Sequence, residues 1–442
     1  MHFRSARAAR IGARIARGSS IMLAVALASC MSNQSGKLAA SGTGDISAPP
    51  VGRVAPVDGG NACANLPAPG AGQNTLARVP YLQRVTPHDA VVVWTSVAGA
   101  SASVLIQSPD GTQESSFTAA IDPSASAPAA DGAVTSPADA PAGNARQWTA
   151  AVSGLEPGTT YCYTVYQDGA PATAPAPLKT APAAGSAGRV QFVALGDSGG
   201  GGSDQRALLE QIETVPFDFM IHTGDIAYDN GTLADFESKF FGIYAPVLSA
   251  RPMFPTSGNH DYETADAAPY RQVFVLPENG GDGGVERWYS YDWGNVHLVA
   301  LDTERTGPIQ AAWLEADLAA NKMPWTIVYG HKPPHSSGEH GDDAPFNQYF
   351  VPILKAHHVQ LVLSGHDHDY ERFKPIDGVT YIVTGGGGRG VRDLNTREAG
   401  SAFAEAVINC LVVTVEGDTL TVHAIDGTGR EFDSTVIARQ PS

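Results

Sequence analysis

Five apolar runs in this chain each end in a short block of Gly with Asp, Asn or His, and that recurrence constrains the fold more than any other feature. The blocks are Gly196-Asp197-Ser198-Gly199, Gly224-Asp225-Ile226-Ala227-Tyr228, Gly258-Asn259-His260-Asp261, Val328-Tyr329-Gly330-His331 and Gly365-His366-Asp367-His368. In α/β folds the carboxyl ends of the strands form the crevice where ligands gather. A glycine ahead of each polar residue lets the chain turn sharply and aim a side chain inward. One Gly-Asp at a strand end, or one lone His, carries little weight. Five in order, each closing an apolar run, predict a single site at the edge of an α/β core.

Together the blocks supply two carboxylates (Asp197, Asp225), one amide oxygen (Asn259), three imidazoles (His331, His366, His368) and one phenol (Tyr228). A single divalent ion takes about four to six donors, so this set suggests two ions sharing a bridging ligand. Oxygen and nitrogen donors without thiolate favour Fe, Mn or Zn. The lesser reading of Tyr228 is a packed aromatic whose hydroxyl hydrogen-bonds a carboxylate.

The ordered series Asp, Gly-Asp-x-x-Tyr, Gly-Asn-His-Asp, Val-x-x-His, Gly-His-x-His resembles the metal-binding signature of the purple acid phosphatases, within the calcineurin-like metallophosphoesterase fold. By position, the resemblance implies that Asp197, Tyr228 and His368 bind one ion, that Asp225 bridges, and that Asn259, His331 and His366 bind the other. It implies Fe(III) at the phenolate side and a divalent Zn, Mn or Fe beside it. Most calcineurin-like enzymes lack a phenol three residues after the bridging Asp, so Tyr228 is the discriminating residue. The resemblance further places His260 and His340 against the substrate phosphate. His340 is chosen over His335, which reads as a solvated loop residue. Asp261 stands where the plant-like enzymes carry Glu and the mammalian-like ones Asp. The implied reaction is hydrolysis of a small phosphate monoester by metal-bound hydroxide, with Asp225, His260 and His340 as catalytic residues. The same cage acting on phosphodiesters with two divalent ions is the alternative, and an inert envelope-anchored binding protein is a remote third. Gly385 to Gly388, after the apolar run Thr380 to Val383, line the rim of the site by backbone approach or serve packing alone.

Ahead of this core, from residue 73 to 182, short alternating runs such as Ala102-Ser103-Val104-Leu105-Ile106 and Thr160-Tyr161-Cys162-Tyr163-Thr164-Val165-Tyr166 are separated by turn residues. They predict an antiparallel β-sandwich. Gly154-Leu155-Glu156-Pro157-Gly158-Thr159-Thr160-Tyr161 resembles the loop-to-strand segment of fibronectin type III domains. With Pro80-Tyr81-Leu82 it resembles the N-terminal module of plant-like purple acid phosphatases. Residues 123 to 143 read as a mobile loop. Residues 187 to 440 are expected to form the α/β metallophosphoesterase domain, a two-sheet β-sandwich flanked by helices. Within it the stretch Pro308 to Ala320 predicts a helix whose Ile309, Trp313, Leu314 and Leu318 pack into the core.

Residues 1 to 30 read as a leader: Arg4, Arg7, Arg10, Arg14 and Arg17 precede a short apolar run, then Leu27-Ala28-Ser29-Cys30. That ending resembles the lipobox of bacterial lipoproteins, which implies export and a lipid anchor on Cys30. An ordinary secretory signal is the alternative. Residues 31 to 72, rich in Ser, Gly, Ala and Pro, read as a flexible tether. Three cysteines remain, and Cys63 could pair with Cys162 or Cys410 could take part instead. The formal net charge is −17, and losing the five leader arginines makes it more negative still. An acidic chain with no basic run is not expected to hold nucleic acid by counterion release.

Overall fold

The computed structural model describes residues 62–64, 66, 76–122 and 145–439. The leader with Cys30, most of the tether and the loop expected at 123–143 lie outside the described residues. Among the described residues, no helix is long and apolar enough to cross a membrane.

The first part is built from two antiparallel sheets. One runs Leu76–Gln83, Asp89–Ser96, Arg146–Ser153 and Ala120–Ile121; the other runs Glu114–Thr118, Ala102–Gln107, Thr160–Gln167 and Ala170–Pro171, with Ala176–Lys179 also pairing with Thr160–Gln167. Ala102–Gln107 alternates buried and half-buried positions, the signature of a strand with one face on a core. Strand Arg146–Ser153, which the sequence reading did not single out, pairs along its whole length with Asp89–Ser96. A disulfide joins Cys63 to Cys162, while Cys410 stays a buried thiol.

The second part has a different texture. Val190–Leu195 is buried at every position, as a strand covered on both faces must be. It lies in a six-stranded sheet ordered Met253–Pro255, Phe219–His222, Val190–Leu195, Asn409–Glu416, Thr419–Asp426, Glu431–Ala438. A seven-stranded sheet follows the order Tyr289–Trp293, Val296–Ala300, Trp325–Tyr329, Leu361–Ser364, Thr380–Thr384, Tyr370–Phe373, Ser401–Glu405. The two sheets meet through aromatic contacts: Phe254 stacks on Tyr291 at 3.9 Å and Phe219 meets Trp293 at 4.7 Å. On the other face of the seven-stranded sheet, Leu314, Leu318, Phe346, Phe350 and Leu354 form a separate core with Val299, Val328 and Val362. Helix Pro308–Ala320 forms as expected, but Ile309 is 67% exposed. Leu314 and Leu318 are buried and Trp313 packs against the core as expected, while Gln310 is buried in place of Ile309. Gln310 takes that place because its amide ties Asp302 on both sides, accepting from the backbone N–H and donating to the carbonyl.

The sandwich docks through polar anchors set in an aromatic surround. The Arg78 guanidinium, 6% exposed, pairs with Glu237 and lies over the Phe241 ring at 4.1 Å. Tyr81 packs on Phe241 at 4.8 Å and donates its hydroxyl to the Val273 carbonyl. Gln147 donates to the Gln272 carbonyl at 2.8 Å, and Tyr163 to the Ser249 carbonyl at 2.8 Å. A guanidinium this dry is costly unless paired, so the docking geometry is specified more sharply than apolar contact alone would do.

One buried pairing makes stability depend on pH. His297 sits between Asp292 (2.7 Å) on the adjoining strand and Asp317 (2.8 Å) on helix Pro308–Ala320. Burial opposes its charge, but the hydrogen bonds to Asp292 and Asp317 prevail and raise its pKa to about 9. A raised folded-state pKa stabilises fully below the unfolded value of about 6.5 and is lost as pH climbs through about 9. His297→Gln should therefore cost about 2 kcal/mol more at pH 6 than at pH 10, read as urea midpoints of variant and wild type at both pH values.

Candidate metal centre

All five blocks lie at carboxyl ends of strands that run parallel within their sheets. Val190–Leu195, Phe219–His222 and Met253–Pro255 deliver Asp197, Asp225 and Asn259 from one sheet. Trp325–Tyr329 and Leu361–Ser364 deliver His331 and His366 from the other. Parallel pairing puts equivalent ends on the same edge, so donors far apart in sequence converge on one crevice.

The local turns differ in detail from the expectation. The ligand residues themselves, more than the glycines before them, take the left-handed conformation: φ is 58° at Asp197, 54° at Asp225 and 72° at His366. Such backbone costs a non-glycine residue about 1–2 kcal/mol and persists where surrounding structure over-determines it. The glycines mainly clear space. A Cβ on Gly258 would stand 2.2 Å from Asp225 Oδ1, and one on Gly365 would stand 2.3 Å from Asp197 Oδ2.

The seven donors fall into two linked groups. Tyr228 Oη lies 2.9 Å from Asp197 Oδ1 and 3.0 Å from His368 Nε2, which is itself 3.5 Å from Asp197 Oδ1. His331 Nε2 lies 3.1 Å from Asn259 Oδ1, 3.2 Å from His366 Nδ1 and 3.5 Å from Asp225 Oδ1. Asp197, Asp225 and His331, all buried, present ligand atoms within 4.8 Å of one another. His331 Nδ1 donates to the Thr223 carbonyl at 2.9 Å, which leaves Nε2 as the lone-pair nitrogen facing the carboxylates.

Electrostatics point the same way. Burial, reinforced by Asp225, pushes the Asp197 carboxyl up to about 8. Burial with Asp197 and Asp225 nearby holds the Tyr228 phenol far above its ordinary value. Burial, helped by the Arg392 guanidinium, lowers His368 to about 4, and His366 is driven down by burial and by His331. The protein alone thus favours the protonated forms of Asp197 and Tyr228 and the neutral forms of His366 and His368, while at His331 burial is outweighed by Asp225 and Asp197, which raise its pKa. Two cations would reverse the first tendency and exploit the second, since they bind carboxylate, phenolate and neutral imidazole. The donor set fits two hard or borderline ions.

His260 and His340 flank this cage. The His260 ring is 4.4 Å from Tyr228, its Nε2 is 4.0 Å from Asp225 Oδ2, and Nδ1 donates to the Asp229 carbonyl at 2.6 Å. The His340 ring stacks on His366 at 4.1 Å, and its Nε2 is 2.6 Å from Arg392 Nη1. His335 is not the solvated loop residue expected. It packs against Phe373 and Tyr381 at 5.7 and 4.9 Å, because its loop folds back on strand Tyr370–Phe373.

Of the groups that support the cage, the sequence reading singled out Asp261 and missed the others. Asp261 accepts from the backbone N–H groups of Ile226, Ala227 and Gly258, tying two ligand blocks together. Asp367, between two histidines of its block, accepts from Ser336 Oγ and from the His340 N–H at 2.8 Å, so it holds the His340 loop. Ser198 Oγ meets His222 Nε2 at 2.8 Å beneath the cage. The backbone N–H of Arg389 donates to the Asp197 carbonyl and that of Arg392 to the His368 carbonyl. The only sequence signal for the arginines was their place directly after the glycine run.

The calcineurin-like phosphoesterase family model matches residues 190–370. Purple acid phosphatase 17 of Arabidopsis thaliana is 28% identical over 248 residues, covering 46% of this chain and 69% of that protein. Acid phosphatase type 7 of Homo sapiens is 31% identical over 190 residues, covering 36% and 42%. This chain therefore spans between 42% and 69% of the length of these relatives. A purple acid phosphatase from yellow lupin (Lupinus luteus) seeds superposes with a TM-score of 0.69 at 20% identity, over 82% of this chain and 74% of that one. At that identity the likeness shows the fold, including the mixed-sheet core that surrounds the blocks.

The close approach at Gly365 gives a direct test of the cage. Gly365→Ala should lower affinity for added Zn(II) by about tenfold or more, because the methyl displaces the Asp197 carboxylate. Titration calorimetry on the metal-stripped protein reads this, and an unchanged affinity would place the ion elsewhere.

Proposed function

We propose that this chain, which carries a calcineurin-like phosphoesterase domain over residues 190–370, is a dinuclear-metal phosphomonoesterase of the purple acid phosphatase type. The observation that carries the reading is Tyr228, whose hydroxyl sits between Asp197 and His368 and so completes a phenol-containing donor set. Asp197, Tyr228 and His368 would hold one ion, Asn259, His331 and His366 the other, with Asp225 between them. Fe(III) on the phenol side with divalent Zn, Mn or Fe beside it is the pairing proposed, since a hard phenolate and carboxylates favour the trivalent ion. Bound there, such a pair supplies Lewis-acid activation of water and of the phosphoryl oxygens.

The chain's own residues set the rest of the chemistry. The ester phosphate would lie between the cage and His260, whose Nε2 is 4.0 Å from Asp225 Oδ2. His260 is held by its Nδ1–H on the Asp229 carbonyl, so Nε2 is the atom free to carry a proton toward the leaving alkoxide. His340 is placed differently. A guanidinium can only donate, so Arg392 Nη1 makes His340 Nε2 an acceptor. Burial and Arg392 also hold His340 below its ordinary pKa, with Asp367 opposing. In this arrangement His260 supplies the proton and His340 positions Arg392. The net reaction is water plus phosphate ester giving alcohol and inorganic phosphate. With water as the nucleophile no side-chain nucleophile is needed, so no phosphoenzyme is expected.

Export and attachment through Cys30 remain part of the proposal. The Arg-rich leader and its lipobox-like end support it, and the Cys63–Cys162 disulfide suits an oxidising compartment.

The protein isolated without reductant should show a broad visible phenolate-to-iron band together with iron in metal analysis, and Tyr228→Phe should abolish the band. A colourless wild type holding two divalent ions would instead favour the phosphodiesterase alternative. His260→Ala should lower kcat on 4-nitrophenyl phosphate by about 10²- to 10⁴-fold. Retained activity would remove His260 as the proton donor.

A further inference from the structure

A second charged pocket lies away from the metal cage, at the other end of the same three strands. Arg189 immediately precedes strand Val190–Leu195, Asp218 precedes Phe219–His222, and Arg251 stands two residues ahead of Met253–Pro255. These strands run parallel, so their amino ends share one edge, opposite the edge where Asp197, Asp225 and Asn259 gather. The six residues of Val190–Leu195, at about 3.3 Å each, separate the two edges by roughly 20 Å.

The sandwich closes this edge into a pocket of about 450 Å³. Strand Ala176–Lys179 contributes Lys179 and Pro177, while the α/β part contributes Arg189, Arg251, Asp218 and Phe217. Asp218 is already committed: it pairs with Lys179 at 2.7 Å and accepts the Gln191 N–H at 3.1 Å. The two guanidinium groups are not. Among the described residues neither makes an ion pair, and each bonds only uncharged oxygen. Arg189 donates to the Gln191 side-chain oxygen, and Arg251 to the Phe217 and Ala250 carbonyls at 2.8 and 2.9 Å. Burial draws Arg251 below its ordinary pKa, with Asp218 opposing. A half-buried guanidinium without a counter-ion is costly. In a chain with 45 acidic and 28 basic residues, carboxylate partners are not scarce. Three cations against one carboxylate therefore mark a place kept positive for a group the chain does not supply.

We propose that this pocket binds a small dianion of the sulfate, phosphate or dicarboxylate class, gripped by Arg189 and Arg251. Guanidinium forks match such oxygens in a bidentate manner. Lys179 brings a charge of the sandwich to the same ligand, so the bound anion bridges the two parts of the chain. The site stands apart from the phosphoester chemistry and does not depend on it.

The test uses the full chain with its metals and calorimetry in chloride buffer at constant ionic strength. Sulfate is the inorganic probe and phthalate the organic dicarboxylate. The wild type should bind at least one of them, and Arg189→Gln/Arg251→Gln should weaken that binding by about tenfold or more. Arg189 is exposed, so Arg189→Gln alone leaves the carbonyl bonds of Arg251 intact and should still weaken it about threefold. The bound probe should raise the Tm of the wild type and not that of the double variant. Arg206→Gln, at an exposed arginine of helix Ser203–Ile212, should change nothing. The double variant should keep its kcat/KM on 4-nitrophenyl phosphate. Tighter phthalate would support the site and assign it to organic dicarboxylates; tighter sulfate would support it and assign it to inorganic oxyanions. Binding of neither probe, equal affinity in wild type and double variant, or an equal loss in Arg206→Gln would overturn the site. A chain inactive on 4-nitrophenyl phosphate that still binds a probe through these arginines would keep the site and reject the phosphatase reading.

Discussion

Two buried carboxylates held within a few ångströms of each other set the terms for the rest of this structure. Asp197 and Asp225 are both almost wholly excluded from water, and their ligand oxygens converge with His331. Removing a carboxylate from water costs several kcal/mol unless an opposite charge compensates it. Around these two the protein places three imidazoles, a phenol and an amide; burial drives His366 and His368 toward the neutral form, while the carboxylates outweigh burial at His331. Cations supplied from outside would bind all of these donors at once, which is why the cage reads as a metal centre.

Holding such a cage demands more than its ligands. Three of the ligand residues sit in left-handed backbone, and Asp261 and Asp367 tie the blocks and the His340 loop in place. The parallel strand ends provide the frame, and the aromatic contact between the two sheets sets the distance across the crevice. The sandwich contributes indirectly. Arg78 pairs with Glu237 on the same helical segment as Lys239, whose ammonium reaches the Tyr228 carbonyl. The first part is thereby linked to the loop that carries the phenol.

The family model and the relatives agree with the resemblance drawn from the five blocks, and the core fold agrees with the expected α/β architecture. What the sequence missed was mostly geometry. Helix Pro308–Ala320 and its packing residues Trp313, Leu314 and Leu318 were legible from the spacing, yet Gln310 is buried in place of Ile309 through hydrogen bonds that no periodicity reveals. His335 and His340 share one loop and one residue type, and only the fold shows that one packs on Phe373 while the other stacks on His366. The bonds from the Arg389 and Arg392 amides to the Asp197 and His368 carbonyls were equally invisible, because an arginine near a glycine run has many ordinary explanations.

By itself the sequence determined which atoms this protein could bring to a metal pair, because residue type fixes donor chemistry and apolar runs fix which residues end strands. It also fixed the order of the two parts, since alternating and continuous apolar runs demand one-sided and two-sided burial. Tertiary structure alone decided how the donors divide into two groups, which carboxylates hold the loops, and which cations face the mouth. Those outcomes depend on approaches of 2.9 to 3.0 Å between segments more than a hundred residues apart, and no local pattern encodes such distances.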